Sequence, residues 1–384
     1  MKTPVSWASR RILVPAALVA AAGVVVWGCS KNPVSTDTDL TSGQTTLETA
    51  ARIELPADNA AVQTVMAVQN RHTDEIMRIP GVVGVGTSAD ETGTAVIRVF
   101  TEKKLPPGLL KQEFEGVRVV EEVSGRIMAF KGPGGGGGGG HTALQTPPIQ
   151  LGTSGGPALD LANGFCCGGT LGSLVHIGST QYILSNSHVF AGDVTSGGNG
   201  RVSTIGDDIT QPGLIDVNCN AAGANVVADL SSLSTLFPPN STPNVDASIA
   251  QVRAGQVRTD GSILAIGTIS SSTVAASIGQ NVKKSGRTTG LTRSSVSTLN
   301  VTVNVGYSNE CAGGSFTKTF TGQIIVSQKR SNFLNSGDSG SLMVEDVSTN
   351  PRAVGLLYAG SASSAVANPI NAVLSHFGAS MVGN

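Results

Sequence analysis

The chain has 384 residues, enough for two or three domains, and a formal net charge of −1. That balance supplies no global basic field to neutralise phosphates, so nothing in the charge points to nucleic acid as a partner. Hydrophobic residues make up 40% of the chain although aromatics are only 4%, which argues for an ordered core rich in small and β-branched side chains rather than for disorder.

Lys2, Arg10 and Arg11 precede an uncharged apolar run from Ile12 to Trp27, which ends at Gly28–Cys29. The pattern is that of an export signal, and the run is short for a membrane span, which needs about 20 residues. Val26-Trp27-Gly28-Cys29 resembles a bacterial lipoprotein cleavage box. That resemblance implies that 1–29 is a lipoprotein-type signal peptide whose Cys29 is lipidated and kept as the first mature residue, and membrane attachment through that N-terminal lipid anchor. Export places the body in an oxidising compartment, where the four other cysteines, Cys166, Cys167, Cys219 and Cys311, are expected to form disulfides. A bond between neighbours is strained, so Cys166 and Cys167 should each pair with Cys219 or Cys311. No CxxC pair or His/Cys cluster suggests zinc, and no metal or organic cofactor is expected.

Residues 30–56, rich in Ser, Thr and Asp, read as a solvated tether. Residues 57–131 read as a small α+β domain. Asp58 is placed to cap a helix over Ala60–Arg78, followed by strands at Val82–Thr87 and Ala95–Phe100. A short helix is expected after Pro106–Pro107 and a further strand from Val117 to Phe130. Residues 132–149 contain seven consecutive glycines, Gly134–Gly140, whose backbone entropy makes them a linker and a domain boundary. From about 150 to 384, short Val/Ile/Leu/Thr runs alternate with Gly/Asn/Ser/Asp turns, the pattern of a β-barrel or sandwich. Asn368 and Pro369 are placed as N-cap and first residue of a terminal helix.

The sharpest local signal is Asn335-Ser336-Gly337-Asp338-Ser339-Gly340-Ser341. Glycines on both sides of Ser339 permit a tight turn, and the Gly337 and Ser339 amides are candidate oxyanion donors. A surface turn has the same composition, so the serine needs a base to be meaningful. Of five histidines, His188 alone follows a buried-type strand, Tyr182-Ile183-Leu184, and leads into apolar Val189-Phe190-Ala191. An acid must orient such a base, and the candidates include Asp207, Asp208, Asp216, Asp229 and Asp246. Asp246 enters an apolar strand, Ala247–Ala250, where its charge would demand a partner; Asp229 has a similar setting and is the second choice.

Taken together, Gly-Asp-Ser-Gly around Ser339, a histidine at a strand end and the order His188…Asp246…Ser339 resemble the trypsin-like (chymotrypsin-fold) serine peptidases. Gly168–Leu174, Val282–Leu291 and Ala353–Gly360 resemble further segments of that family. The resemblance covers about residues 150–384 and implies a double six-stranded antiparallel β-barrel with a C-terminal helix. It also implies an exported endopeptidase acting on polypeptides through His188, Asp246 and Ser339, with oxyanion donors at Gly337 and Ser339. Asn186-Ser187 before the histidine and Ser341 after the serine depart from the family pattern. Phe333, six residues before the serine, falls where the family has the base of its specificity pocket, so cleavage after Lys or Arg is not implied. Asp338 is expected to be held by local partners. Residues 57–131 stand where such enzymes carry a pro-segment, which would assist folding or cover the cleft; a spacer or binding module is the alternative. The rival reading of the whole chain is a surface-anchored binding protein that kept the barrel and lost catalysis.

Overall fold

The computed structural model describes residues 54–129, 139–162, 165–191, 203–236, 244–308, 315–329 and 331–384. The signal segment with Cys29, the tether up to residue 53, residues 130–138 and Cys311 lie outside the described residues.

The chain first forms helix α1 (Ala60–Met77) and strands β1 (Val82–Ala89), β2 (Ala95–Thr101) and β3 (Val117–Val123). β1 pairs antiparallel with β2, and β2 parallel with β3. The helix lays Val65, Val68 and Ile76 against Val85, Ile97 and Val99 of this small sheet. Its N-cap is Asn59 rather than Asp58: the Asn59 side chain accepts from the amides of Ala61 and Val62, the shorter at 3.0 Å. No helix follows Pro106–Pro107, where the chain makes turns. The strand expected over Val117–Phe130 ends at Val123, and a separate extended pair, Met128–Ala129, follows.

The first barrel is built from β4 (Thr153–Pro157), β5 (Gly169–Leu171), β6 (Ser173–Ile177), β7 (Thr180–Ser185), β8 (Asp208–Gln211), β9 (Asn225–Leu233) and β10 (Ser248–Val252). The order is β5-β4-β8-β9-β10-β7-β6. Because β5 and β6 are one strand bent at Gly172, the ring closes with six members. The second barrel contains β11 (Asn281–Gly286), β12 (Gly290–Ser308), β13 (Ser315–Ser327), β14 (Leu342–Glu345), β15 (Ala353–Gly360) and β16 (Ser364–Pro369). Its order β11-β14-β15-β16-β13-β12 is closed by β12 on β11. Both rings are antiparallel, so the expected double six-stranded barrel is the fold. Closure removes the strand edges that an open sheet of this composition would leave.

β12 and β13, with 19 and 13 residues, run beyond the second barrel as a long hairpin. β1 pairs with this hairpin at Gly84↔Val303 and Ser88↔Thr298, so the small α+β sheet continues the second barrel's sheet. Buried Gln69 of α1 ties the two segments together, donating to the Asn300 carbonyl at 2.9 Å. Helix α3 (Ile370–Phe377) closes the fold. Asn368 does not cap it; its side chain is drawn inward to the backbone of Asp246, as described below.

Candidate functional site

Ser185 ends β7, and the chain turns at once into the one-turn helix α2 (Ser187–Phe190), which carries His188. The two residues that depart from the family pattern bind this turn to the segment bearing Asp246. Asn186 Nδ2 donates to the Asp246 carbonyl at 2.7 Å, and Ser187 Oγ to the Ala247 carbonyl at 2.6 Å. Ser248 Oγ returns a bond to the Asn186 carbonyl at 2.8 Å. From the far side, Asn368 accepts from the Asp246 amide and donates to its carbonyl, both at 3.1 Å. Every polar backbone atom of buried Asp246 is thereby partnered, as burial requires.

His188 and Asp246 are 1% and 0% exposed, and His188 Nδ1 lies 2.6 Å from Asp246 Oδ2. The His188 amide reaches Asp246 Oδ1 at 3.3 Å, and the Tyr307 hydroxyl donates to Oδ2 at 2.9 Å. His188 Nε2 is buried and has no hydrogen-bond partner among the described residues. Asp229, the second choice for this position, pairs instead with Arg253 at the surface of the first barrel.

Ser339 sits on a loop whose shape explains its glycines. Gly337 and Gly340 have φ of +93° and +92°. A Cβ at Gly337 would come within 2.5 Å of Thr288 Oγ1, and one at Gly340 within 2.3 Å of Ser185 Oγ and of the Thr170 carbonyl. The second approach brings the serine loop against the end of the strand that delivers His188. Thr170 fastens it there: its amide donates to the Ser339 carbonyl at 2.9 Å and its hydroxyl to the Gly337 carbonyl at 3.0 Å. Neither the Gly337 nor the Ser339 amide makes a hydrogen bond among the described residues. Ser339 is fully buried, and its hydroxyl donates to the Tyr358 carbonyl at 3.2 Å, not to His188.

Asp338 is held locally. Its Oδ1 accepts from the Thr288 and Thr289 amides at 2.9 and 3.1 Å, and its Oδ2 from the Thr289 hydroxyl and the Asn335 amide at 2.7 and 2.9 Å. Lys284 Nζ lies 3.4 Å from Oδ2, and both side chains are wholly buried. Burial pushes the Lys284 ammonium below its usual range, and the Asp338 charge opposes that fall. The Arg287-Thr288-Thr289 turn is itself anchored by the pair of Arg287 with Asp216, at 2.6 and 2.7 Å. Ser341, where a glycine was expected, closes the turn by donating to the Asp338 carbonyl.

A pocket of about 210 Å³ adjoins the serine loop, lined by Gln328, Ser331, Asn332, Leu334, Asn335 and the pair Ser361–Ala362. Phe333 does not line it; that side chain is buried in the second barrel's core with Val282, Met343 and Leu357. Beside the pocket, Met128–Ala129 pairs antiparallel with β15 at Gly360 and Ala359, the residues next to Tyr358. Met128 also pairs with Gly306 of β12, and the Gly306 amide donates to the Ile127 carbonyl at 2.9 Å. Ile127 and Ala129 are buried in one cluster with Tyr307, Phe320 and Tyr358.

Cys166 is bonded to Cys219, with Cα atoms 5.5 Å apart, and Cys167 is also disulfide-bonded. The remaining histidines lie elsewhere: His72 pairs with Glu115, His141 Nε2 meets Ser285 Oγ at 2.9 Å, His176 Nδ1 meets the Gly178 carbonyl at 3.0 Å, and His376 packs on Phe377.

No curated protein matches the chain. The Nal1 C-terminal domain matches residues 243–369, about a third of it. Among solved structures, the chain is similar to a glutamic-acid-specific serine protease described as using a histidine triad in substrate binding (20% identity, 61% of this chain and 100% of that one, TM-score 0.40). It is also similar to Thermobifida fusca Protease A (19%, 62% and 99%, TM-score 0.40) and to a Cellulomonas bogoriensis chymotrypsin (17%, 62% and 99%, TM-score 0.37).

Proposed function

We propose that the chain is a serine endopeptidase, exported and lipid-anchored at Cys29, which hydrolyses peptide bonds through Ser339, His188 and Asp246. The observation that carries this reading is the buried His188–Asp246 pair, with Nδ1 engaged at 2.6 Å and Nε2 left unpartnered. Asp246 fixes the imidazole so that its proton sits on Nδ1 and Nε2 is the basic nitrogen. The Ser339 hydroxyl turns from the Tyr358 carbonyl towards Nε2, gives up its proton and attacks the peptide carbonyl. The Gly337 and Ser339 amides receive the oxyanion; one such donor contributes about 3–4 kcal/mol in comparable enzymes. His188 then returns the proton to the leaving amine, and water releases the acyl-enzyme. The Cys166–Cys219 disulfide supports an oxidising compartment for this work.

In this state the cleft is covered by the chain itself. Met128–Ala129 adds a strand to Ala359–Gly360, the mode by which an extended peptide docks on a sheet edge. Residues 57–131 are therefore assigned as a pro-segment whose last strand occupies the place of a substrate.

The test is labelling of the purified full-length chain with a fluorophosphonate, before and after cleavage between Ala129 and Gly139. One modified residue is expected, absent in Ser339→Ala, with faster labelling after the cut. A folded chain that takes no label in either form would sink the reading. The pocket also makes a prediction. Among the described residues no charged side chain lines it, and Asn332, Asn335, Ser331 and Gln328 offer neutral hydrogen-bonding groups. A peptide library should show cleavage after uncharged side chains, with Lys and Arg at that position cleaved at least about tenfold more slowly, because a buried unpaired cation is costly.

A further inference from the structure

The Asp246 carboxylate has a partner that lies outside the three residues of the proposed mechanism. We infer that Tyr307 is a positioning residue for this reaction, its hydroxyl holding Asp246 in the orientation that engages His188. The inference rests on the proposed function for its kinetic consequence and on geometry alone for its structural one.

Tyr307 stands near the end of β12, in the part of the hairpin that runs beyond the barrel. Its ring is fixed on both sides: it stacks on Phe316 at 4.9 Å and 8°, and it stands edge-on to His188 at 6.0 Å and 70°. The hydroxyl then falls 2.9 Å from Asp246 Oδ2, the same oxygen that meets His188 Nδ1. Two donors on one oxygen, from two different elements, fix the rotation of the carboxylate. The His188 amide on Oδ1 completes the set. Burial first, and the Asp246 charge second, push the Tyr307 phenol well above its usual range, so it keeps its proton and serves only as a donor here.

The other titratable groups that face the pair are Tyr358 of β15 and Lys318 of β13. The Tyr358 hydroxyl is buried and makes no hydrogen bond among the described residues. The Lys318 ammonium lies over the Phe320 ring, 5.3 Å from its centroid. Burial lowers the affinity of Lys318 for its proton, and the Asp246 charge offsets part of that. Among the three tyrosines of the chain, Tyr307 alone reaches the carboxylate among the described residues.

Removing this donor leaves more of the Asp246 charge to the imidazolium, which stabilises the protonated, inactive base. It also frees the carboxylate to rotate. Tyr307→Phe keeps the stacked ring and deletes only the hydroxyl. In the full-length chain, the low-field proton resonance of His188 Nδ1–H is expected to move downfield in this variant, and to be unchanged in Tyr358→Phe. Incorporation of 3-fluorotyrosine, a stronger donor, should move it upfield without any substitution, so the question is answered even if Tyr307→Phe fails to fold. In turnover, kcat should fall about tenfold with KM within about twofold, because a carboxylate free to rotate no longer holds His188 in the reactive geometry. The acidic limb of kcat/KM should shift to higher pH. A resonance that does not respond to either change overturns the inference, as do an unchanged kcat and an unchanged limb in a chain whose wild type turns over. A wild type without Ser339-dependent turnover overturns the proposed function instead, and the resonance then decides the role of Tyr307 by itself.

Discussion

Asp246→Asn lowers kcat by about 10⁴, the effect of losing the orienting acid in enzymes that use this arrangement, while the melting temperature changes by a few degrees at most. The asparagine is close in size to the carboxylate and keeps a carbonyl oxygen at the Oδ1 position for the His188 amide, which puts its amide nitrogen in the place of Oδ2, facing Nδ1 and the Tyr307 hydroxyl. What it cannot do is accept from Nδ1–H with its amide nitrogen. The imidazole then places its proton on Nε2, the atom that must take the proton of Ser339. Asp229→Asn is the matched control: that carboxylate pairs with Arg253, and both side chains are about two-fifths exposed. An exposed pair contributes about 0–1 kcal/mol, so turnover should stay within about twofold of wild type. An Asp246→Asn enzyme within tenfold of wild type would remove Asp246 from the mechanism. His188→Ala is a poorer test than the sequence suggests. His188 is buried, and its loss strands a carboxylate in the interior, which costs about 3–5 kcal/mol in stability besides any effect on activity.

The β-rich body was legible in the sequence because its signals are local, whereas its closure as a double barrel came from the resemblance of the ordered motifs to the trypsin-like peptidases. Short β-branched runs ended by Gly, Asn and Ser turns mark strands wherever they fall, and the glycines beside Ser339 mark a loop that only φ near +90° satisfies. The preference for Asp246 followed from the same kind of reading, since a carboxylate entering Ala247–Ala250 must find a buried partner; Asp229 has a similar setting in sequence, and only the long-range pair with Arg253 separates the two. What the sequence hid depends on long-range pairing. Asn368 has the composition of a helix cap, but 122 residues away the Asp246 backbone presents both a donor and an acceptor, and the barrel satisfies them first. Phe333 sits at the expected spacing from Ser339, yet its size and apolarity draw it into the core, and the pocket is lined by its neighbours. Tyr307 carries no local mark at all. It continues the run Val301–Val305, and only the length and fold of the hairpin bring its hydroxyl to the carboxylate. Met128–Ala129 reads as the tail of a strand begun at Val117. Its partners are 178 and more residues further along, and nothing in the sequence around it announces that edge.

Ala129→Asp should open the covered cleft, raising the rate at which fluorophosphonate modifies Ser339 in the uncut chain by at least about a hundredfold. Ala129 is 8% exposed and packs in a cluster with Tyr307, Phe320, Tyr358 and Ala359. A carboxylate there would be desolvated among these apolar side chains. A penalty of about 3 kcal/mol, modest for a buried unpaired carboxylate, shifts the docked and undocked populations by about a hundredfold, since each 1.4 kcal/mol is a factor of ten. The remainder of the segment stays in place, because β1 is held to β12 by backbone pairing and α1 by its own core. Undocking is therefore confined to the stretch after Val123. Wild-type chain cut between Ala129 and Gly139 provides the reference, because a cut end dissociates more readily than a tethered one. If Ala129→Asp labels no faster than wild type while the cut chain labels fast, the cover must be exerted by another part of the segment. If all three label at one slow rate, Met128–Ala129 is a structural edge strand and the cleft is governed by the barrel itself.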